Sequence, residues 1–255
     1  MGAPLRIVSL VPSLTEALFE LGLGPRVVGV TDWCVHPAAA VADLPKVGGT
    51  KNPSLARVQE LRPDLVIANR EENRERDVER LRAAGLRVWV TYPRTVAEGL
   101  AMIHDLGEVT GAREGARTLL DTLEPLYARA RTRAAARRPV SVFYPIWRQP
   151  WMTIGADTYV HDLLATCGGV NVFGDRTRYP TVTLDEVAAR RPEVILLPDE
   201  PFRFRRAHLA DFEPYPAVPA VRGGRIHLVD GKPFSWHGPR LADALTKLPD
   251  WLAAD

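Results

Sequence analysis

Cys34 and His36 stand two residues apart in the stretch Asp32-Trp33-Cys34-Val35-His36-Pro37. Alternate side chains of an extended segment share a face, so the thiol and the imidazole would point the same way. With Glu71 or His237 from elsewhere they would begin a soft metal site of sulfur and nitrogen ligands. Two ligands are not four. The other reading makes Cys34 a small buried hydrophobe and His36 a hydrogen-bonded residue ahead of Pro37. A second set of residues is aromatic. Trp33, Tyr92, Tyr144, Trp147, Trp151 and Trp236 fall in segments that read as loops, beside Arg70, Arg148, His237 and Arg240. Polar-tipped rings next to cations suit a large, flat, partly charged guest. The plain alternative is that the same rings pack the chain together at the loop mouths. Catalytic templates are missing: there is no Gly-x-Ser-x-Gly elbow, no His-Glu-x-x-His and no Gly-x-Gly-x-x-Gly opening a helix. Glu71 and Glu72 offer a general-base pair, but adjacent charges after a strand normally form a solvated face. The expectation is a binder and not an enzyme.

These residues need elements to position them. Short apolar runs at 6–11, 26–30, 65–69, 86–91, 140–144, 194–197 and 225–229 alternate with helical patterns, which is the signature of an α/β class with parallel strands. Ligands of open α/β sheets bind outside the carboxyl ends of the strands, and the aromatic loops follow those ends. Capping boxes are expected at Ser13/Glu16, Thr95/Glu98 and Thr183/Glu186. Helices are expected over about 54–61, 77–84 and 158–166, with 168–173 as a turn. Residues 31–53 read as long and irregular. Gly48-Gly49-Thr50-Lys51 within them lacks the spacing of a phosphate loop.

Residues 112–138 differ from what flanks them. Leu119, Leu123, Leu126, Tyr127 and Ala130 make one apolar stripe, and seven arginines fill the other faces. Such a helix spans roughly 35–40 Å at about 1.5 Å per residue. Pro125 inside it predicts a kink or a split into two helices in line. On either side lie similar segments: Val58–Ile67 reads like Val187–Leu196, with Pro63 and Pro192 lying 129 residues apart. Each is a short helix, an Arg-Pro-acid break and an apolar run. The expected organisation is an N-terminal α/β lobe at 1–111, a linking helix at 112–138 and a C-terminal α/β lobe at 139–255, with a ligand cleft between the lobes.

Composition excludes several classes. The chain has 255 residues and a formal net charge of +2, so no nucleic-acid footprint shows in the totals. No apolar run is long enough to span a membrane. Cys34 and Cys167, the two cysteines, fall in different halves and imply no disulfide framework. The start of the chain enters a strand with no leader pattern, so the expectation is either a cytoplasmic protein or one whose signal has been removed.

Arg6–Glu16, the Arg62–Ile67 break, Cys167-Gly168-Gly169-Val170-Asn171-Val172-Phe173 and the late Trp236 to Arg240 together resemble the class III substrate-binding proteins of ABC importers. The resemblance runs from about Arg6 to Leu248 and is nearest the cobalamin-binding branch. It implies two Rossmann-like lobes with mainly parallel sheets on a rigid linking helix and only a small closure. It also implies a corrinoid or other metal chelate (haem, an iron–siderophore) as ligand, with no required cofactor, an ABC permease as partner, a monomer, and a periplasmic or cell-envelope setting. Carried over residue by residue, Phe173, Trp236 and Arg240 match places that line the corrinoid site, with Trp89 or Tyr92 near another. Asn69 stands where that branch has a stacking tryptophan. Arg240 or Arg148 would meet the ligand's polar groups, and His36 or His237 an open axial position. Glu75 and Glu200 match the permease-docking glutamates, although the internal repeat pairs Glu71 with Glu200. Two alternatives stay open: a cytoplasmic metal- or cofactor-binding protein using Cys34 and His36, and an enzyme on the same scaffold.

Overall fold

The computed structural model describes residues 5–253 and divides into two compact units. The first comprises the chain up to Pro93, Ala97–Thr122 and Trp236–Pro239. Its sheet has four parallel strands, in the order Val27–Val30, Ile7–Ser9, Leu65–Asn69, Val88–Thr91. The second comprises Arg94–Val96, Leu123–Ser235 and Arg240 onward. Its sheet runs Gly169–Asn171, Val140–Phe143, Val194–Pro198, Ile226–Val229, again all parallel. In both, the order across the sheet is second strand, first, third, fourth. The fold class is therefore the expected α/β, and the duplicated segments occupy equivalent places: Leu65–Asn69 and Val194–Pro198 are the third strands.

Both third strands are buried at every residue, as a parallel strand covered on two faces must be. In the first unit Val8, Leu10, Val66 and Ala68 pack with Val58, Val78 and Leu81 from the helices Leu55–Glu60 and Glu75–Ala83. In the second, Phe143, Ile195 and Leu197 pack with Phe173, Val187, Phe204 and Phe212.

Several local expectations change. The first helix is Pro12–Glu20, with Val11 as N-cap and Pro12 in the first turn. The Ser13/Glu16 box does not form, because proline is pre-set for the first turn and starts the helix ahead of Ser13, leaving Ser13 inside it and buried. Thr183/Glu186 does form a full capping box: Thr183 N donates to Glu186 at 2.8 Å and Glu186 N to Thr183 Oγ1 at 3.1 Å. Residues 168–173 are not simply a turn. Gly168 takes φ 93°, and the chain then enters the edge strand Gly169–Asn171. The segment 31–53 contains the short helix Ala38–Val41 and a small hairpin of Gly48–Gly49 with Asn52–Pro53.

Arg113–Ala135 is one helix, not two, with Pro125 inside it. The buried stripe is Ala116, Leu119, Leu123 and Ala130, while Pro125 is exposed. The carbonyl that loses its i+4 partner belongs to Asp121, which is also exposed, so the missing bond falls where water can replace it. Gly115 lets this helix reach the end of the first one: a Cβ there would lie 2.6 Å from the Leu21 carbonyl oxygen.

Candidate functional site

The carboxyl ends of the first sheet are held by buried polar side chains. Asn69 closes its strand, donating from Nδ2 to Thr91 Oγ1 at 3.0 Å and accepting from Glu71 N at 2.8 Å. Its own N–H donates to Asn73 Oδ1 at 2.9 Å, and Asn73 Nδ2 reaches the carbonyls of Leu10 (3.3 Å) and Thr50 (2.9 Å). Lys51 Nζ donates to the carbonyl of Glu71. Asn69 is fully engaged in this network and buried. It therefore ties loops together where the resemblance has a stacking ring.

Beside it lies a second polar knot. Thr15 Oγ1 is 2.8 Å from Ser9 Oγ, 2.9 Å from the Val11 carbonyl and 3.1 Å from Cys34 Sγ. Thr31 Oγ1 is also 3.1 Å from the sulfur. Cys34 has no exposed surface, and burial pushes its thiol up from the ordinary value, only partly offset by the threonine hydroxyls. That disfavours the thiolate a soft metal needs. His36 does not share this pocket; its ring packs edge-on to Trp236 at 5.8 Å. Among the described residues no group of three or more His, Cys, Asp or Glu is placed to hold a metal ion.

Over this scaffold the unit presents its aromatic residues. Trp33 is 65% exposed, the largest exposure among its big apolar side chains. Tyr92, half-buried, carries the guanidinium of Arg70 at 5.3 Å from its ring centre. Trp89 lies half-buried within its strand. Trp236 is buried, and so is His237, whose imidazole is pushed down to about 4 by burial and is neutral at pH 7. Glu75 is exposed at the first position of its helix, a favourable place for a negative charge.

The second unit holds its carboxyl-end loops with rings instead. Trp151 stacks on Phe204 at 5.6 Å and meets Phe212 and Phe143. Phe202 packs on Phe204 at 4.8 Å, and Trp147, 43% exposed, sits edge-on to Phe202 at 5.6 Å. Three sequence assignments change here. Phe173 is fully buried against Phe143, with the Arg190 guanidinium 4.4 Å from its ring centre, so it belongs to the core and not to an open surface. Tyr144 is buried against Phe234 at 5.5 Å, and its hydroxyl is held well above the usual range by burial and by Glu200, Asp199 and Asp230. Arg148 is closed on Asp211 by bonds of 2.7 and 2.9 Å and is not open to a ligand. Arg240 is half-buried at the start of the last helix, Leu241–Trp251. Glu200 accepts from Ser235 Oγ at 2.8 Å, with Lys232 Nζ 4.0 Å away.

Residue type alone places Arg70 among the loop residues without a role and gives none to Phe202 or Asn73. A cation directly after a strand end was the available signal for Arg70. A shallow recess beside Cys167, lined by Arg133, Arg137 and Arg138, precedes the strand that starts at Gly169 and so is not at a carboxyl end.

A sequence profile described as periplasmic binding protein matches residues 7–233. The vitamin B12-binding protein of Salmonella typhimurium is 32% identical over 193 residues, 75% of this chain and 71% of that one. Among solved structures, the periplasmic vitamin B12 binding protein BtuF of Vibrio cholerae superposes with a TM-score of 0.86 at 25% identity, covering 97% of this chain and 96% of that one. The periplasmic heme-binding protein RhuT from Roseiflexus sp. RS-1, in apo form, gives 0.85 at 26% identity, with 98% of each chain covered. With the profile spanning nearly the whole length and two duplicated parallel sheets beneath it, the chain belongs to the periplasmic binding protein family.

Proposed function

We propose that this chain is the substrate-binding protein of an ABC importer at the cell envelope, and that its guest is a corrinoid or a related metal chelate such as haem. One observation carries the ligand class: an indole, Trp33, stands 65% exposed at the carboxyl end of a sheet whose loops are anchored at Asn69 and Asn73 by buried hydrogen bonds. Covering that ring with a flat macrocycle is worth on the order of 3 kcal/mol. Relatives whose names declare vitamin B12 and heme binding support the same class. No bond chemistry is needed, and the chain acts as a carrier. No helix among the described residues is long and apolar enough to cross a membrane; the permease partner is assigned from the family.

The contacts we assign are Trp33 and Tyr92 in the first unit and Trp147 with Arg240 in the second; Trp236 is buried and backs His36. His36, half-buried, is the imidazole suited to an open axial position on the guest's metal, whereas His237 is buried. Glu75 and Glu200 are assigned to docking on the permease, and the carrier acts as a monomer.

The test is a titration of the purified chain with cyanocobalamin, haem and ferric chelates, following tryptophan emission and the ligand's visible bands. One class should quench emission at a 1:1 ratio, and Trp33→Ala and Trp147→Ala should each weaken it. If no chelate binds while Cys34→Ser and His36→Ala abolish Zn²⁺ or Co²⁺ uptake, the metal-site reading replaces this one.

A further inference from the structure

We propose that Arg70, braced on Tyr92, is a specificity-determining residue that selects chelates bearing a peripheral anionic oxygen group, a carboxylate or a phosphate. This rests on the chelate-carrier function above.

The argument starts from the register. The neighbouring strands Leu65–Asn69 and Val88–Thr91 end on the pair Asn69 and Thr91, and Arg70 N donates to the Thr91 carbonyl at 2.9 Å, adding one more rung. On both sides of Arg70 the backbone is fastened, by Asn69 N to Asn73 Oδ1 and by Glu71 N to Asn69 Oδ1. The root of the arginine is therefore fixed before any guest arrives.

Its head is braced as well. At 5.3 Å from the Tyr92 ring centre, the guanidinium is within cation–π range. A ring occupies the face of a guanidinium and leaves its planar N–H edge for oxygen acceptors, which is the geometry that matches a carboxylate or phosphate. Arg70 is exposed, and among the described residues no carboxylate forms an ion pair with it. Arg148, which lies beyond the first strand of the second unit's sheet, is instead paired with Asp211. The position also favours a binding role. In a sheet ordered second, first, third, fourth, the connections part company between the first and third strands, and Arg70 follows the third. Held at both root and head, the guanidinium loses little freedom on meeting an anion, so most of the interaction appears as affinity.

The experiment uses the full chain and two ligand pairs that keep their macrocycle and differ in a peripheral anionic oxygen group. Haem is compared with its dimethyl ester, and cyanocobalamin with dicyanocobinamide, which lacks the phosphate together with its sugar and base, so the readout is the change in preference between the unmodified chain and the variant. Arg70→Gln should lower the preference for the anion-bearing member of the pair that binds by roughly tenfold, the size of one charge-assisted contact. Tyr92→Leu should lower it by less. Melting temperatures of the variants check that both remain folded. An Arg70→Gln protein that keeps the same charge preference overturns the inference and leaves the carrier function standing. Binding of no chelate by the unmodified chain removes both.

Discussion

The two units run the same strand order and solve the same problem differently. Each must hold loops rigidly at the carboxyl ends of a parallel sheet. The first does it with hydrogen bonds, through Asn69, Asn73 and Thr91 on one side and Ser9, Thr15, Thr31 and Cys34 on the other. The second does it with rings, a connected set of Phe143, Phe173, Trp151, Phe202, Phe204 and Phe212. A polar network is directional, so it sets backbone positions closely and leaves its aromatic neighbours free to face outward, as Trp33 does. An aromatic cluster is held by area and consumes its own rings, so only its margin, Trp147 above all, remains available. The duplication therefore preserves topology while dividing the labour: the first unit spends few aromatic side chains on structure, the second spends most of them.

The largest effect that tests this contrast is on Phe173. If it is structural, Phe173→Ala should cost about 3–5 kcal/mol of stability, as deletion of a buried ring does, and chelate affinity of the folded fraction should be unchanged. Urea unfolding with a parallel ligand titration measures both. A stable variant with lost affinity would return Phe173 to the binding surface. In the first unit the counterpart is Asn73→Ala, which leaves the Leu10 and Thr50 carbonyls and the Asn69 amide without their partner. We expect a loss of about 1–3 kcal/mol, with the change in hydrogen exchange concentrated at residues 69–73. If exchange instead rises evenly over the unit, the network does not hold the loops locally.

Much of this architecture was legible in the sequence, and the failures have identifiable causes. Leu65–Asn69 is bounded as expected because a continuous apolar run between Pro63-Asp64 and Arg70 leaves no choice of ends. Thr183/Glu186 caps its helix because both partners are local. The edge strand Gly169–Asn171 was hidden by its glycines: Gly168 does take a turn conformation, but the next residues pair with Val140–Val142. Phe173 and Tyr144 show that a ring's type does not say which way it faces. Neither network of the first unit could be read ahead, since Asn69 finds Thr91 22 residues away and Asn73 finds Leu10 at a separation of 63. Trp33 was visible as a candidate from its loop alone, while the use of Arg70 needed the strand register that sets it beside Tyr92.

The smallest predicted effects separate the units by pH. His237 in the first unit is pushed by burial from 6.5 to about 4, so between those values the unfolded chain binds more protons than the folded one. Stability of that unit should be complete above pH 6.5 and fall as the pH drops toward 4; His237→Gln should flatten this slope. Glu193 in the second unit is held from 4.5 down to about 2, chiefly by Arg138 at 2.7 and 3.0 Å and also by Ser141. Its contribution should be complete above pH 4.5 and vanish as the pH falls through 2, and Glu193→Gln should remove it. Because the Arg138 side chain is largely exposed, water screens the pair and the effect at neutral pH should be the smaller of the two. Denaturation followed at pH 7, 5 and 3, read from tryptophan emission and from exchange in each unit, should show the first weakening before the second. The reverse order would mean that the buried imidazole takes up its proton without cost, and that the hydrogen-bonded unit is more accommodating to charge than the aromatic one.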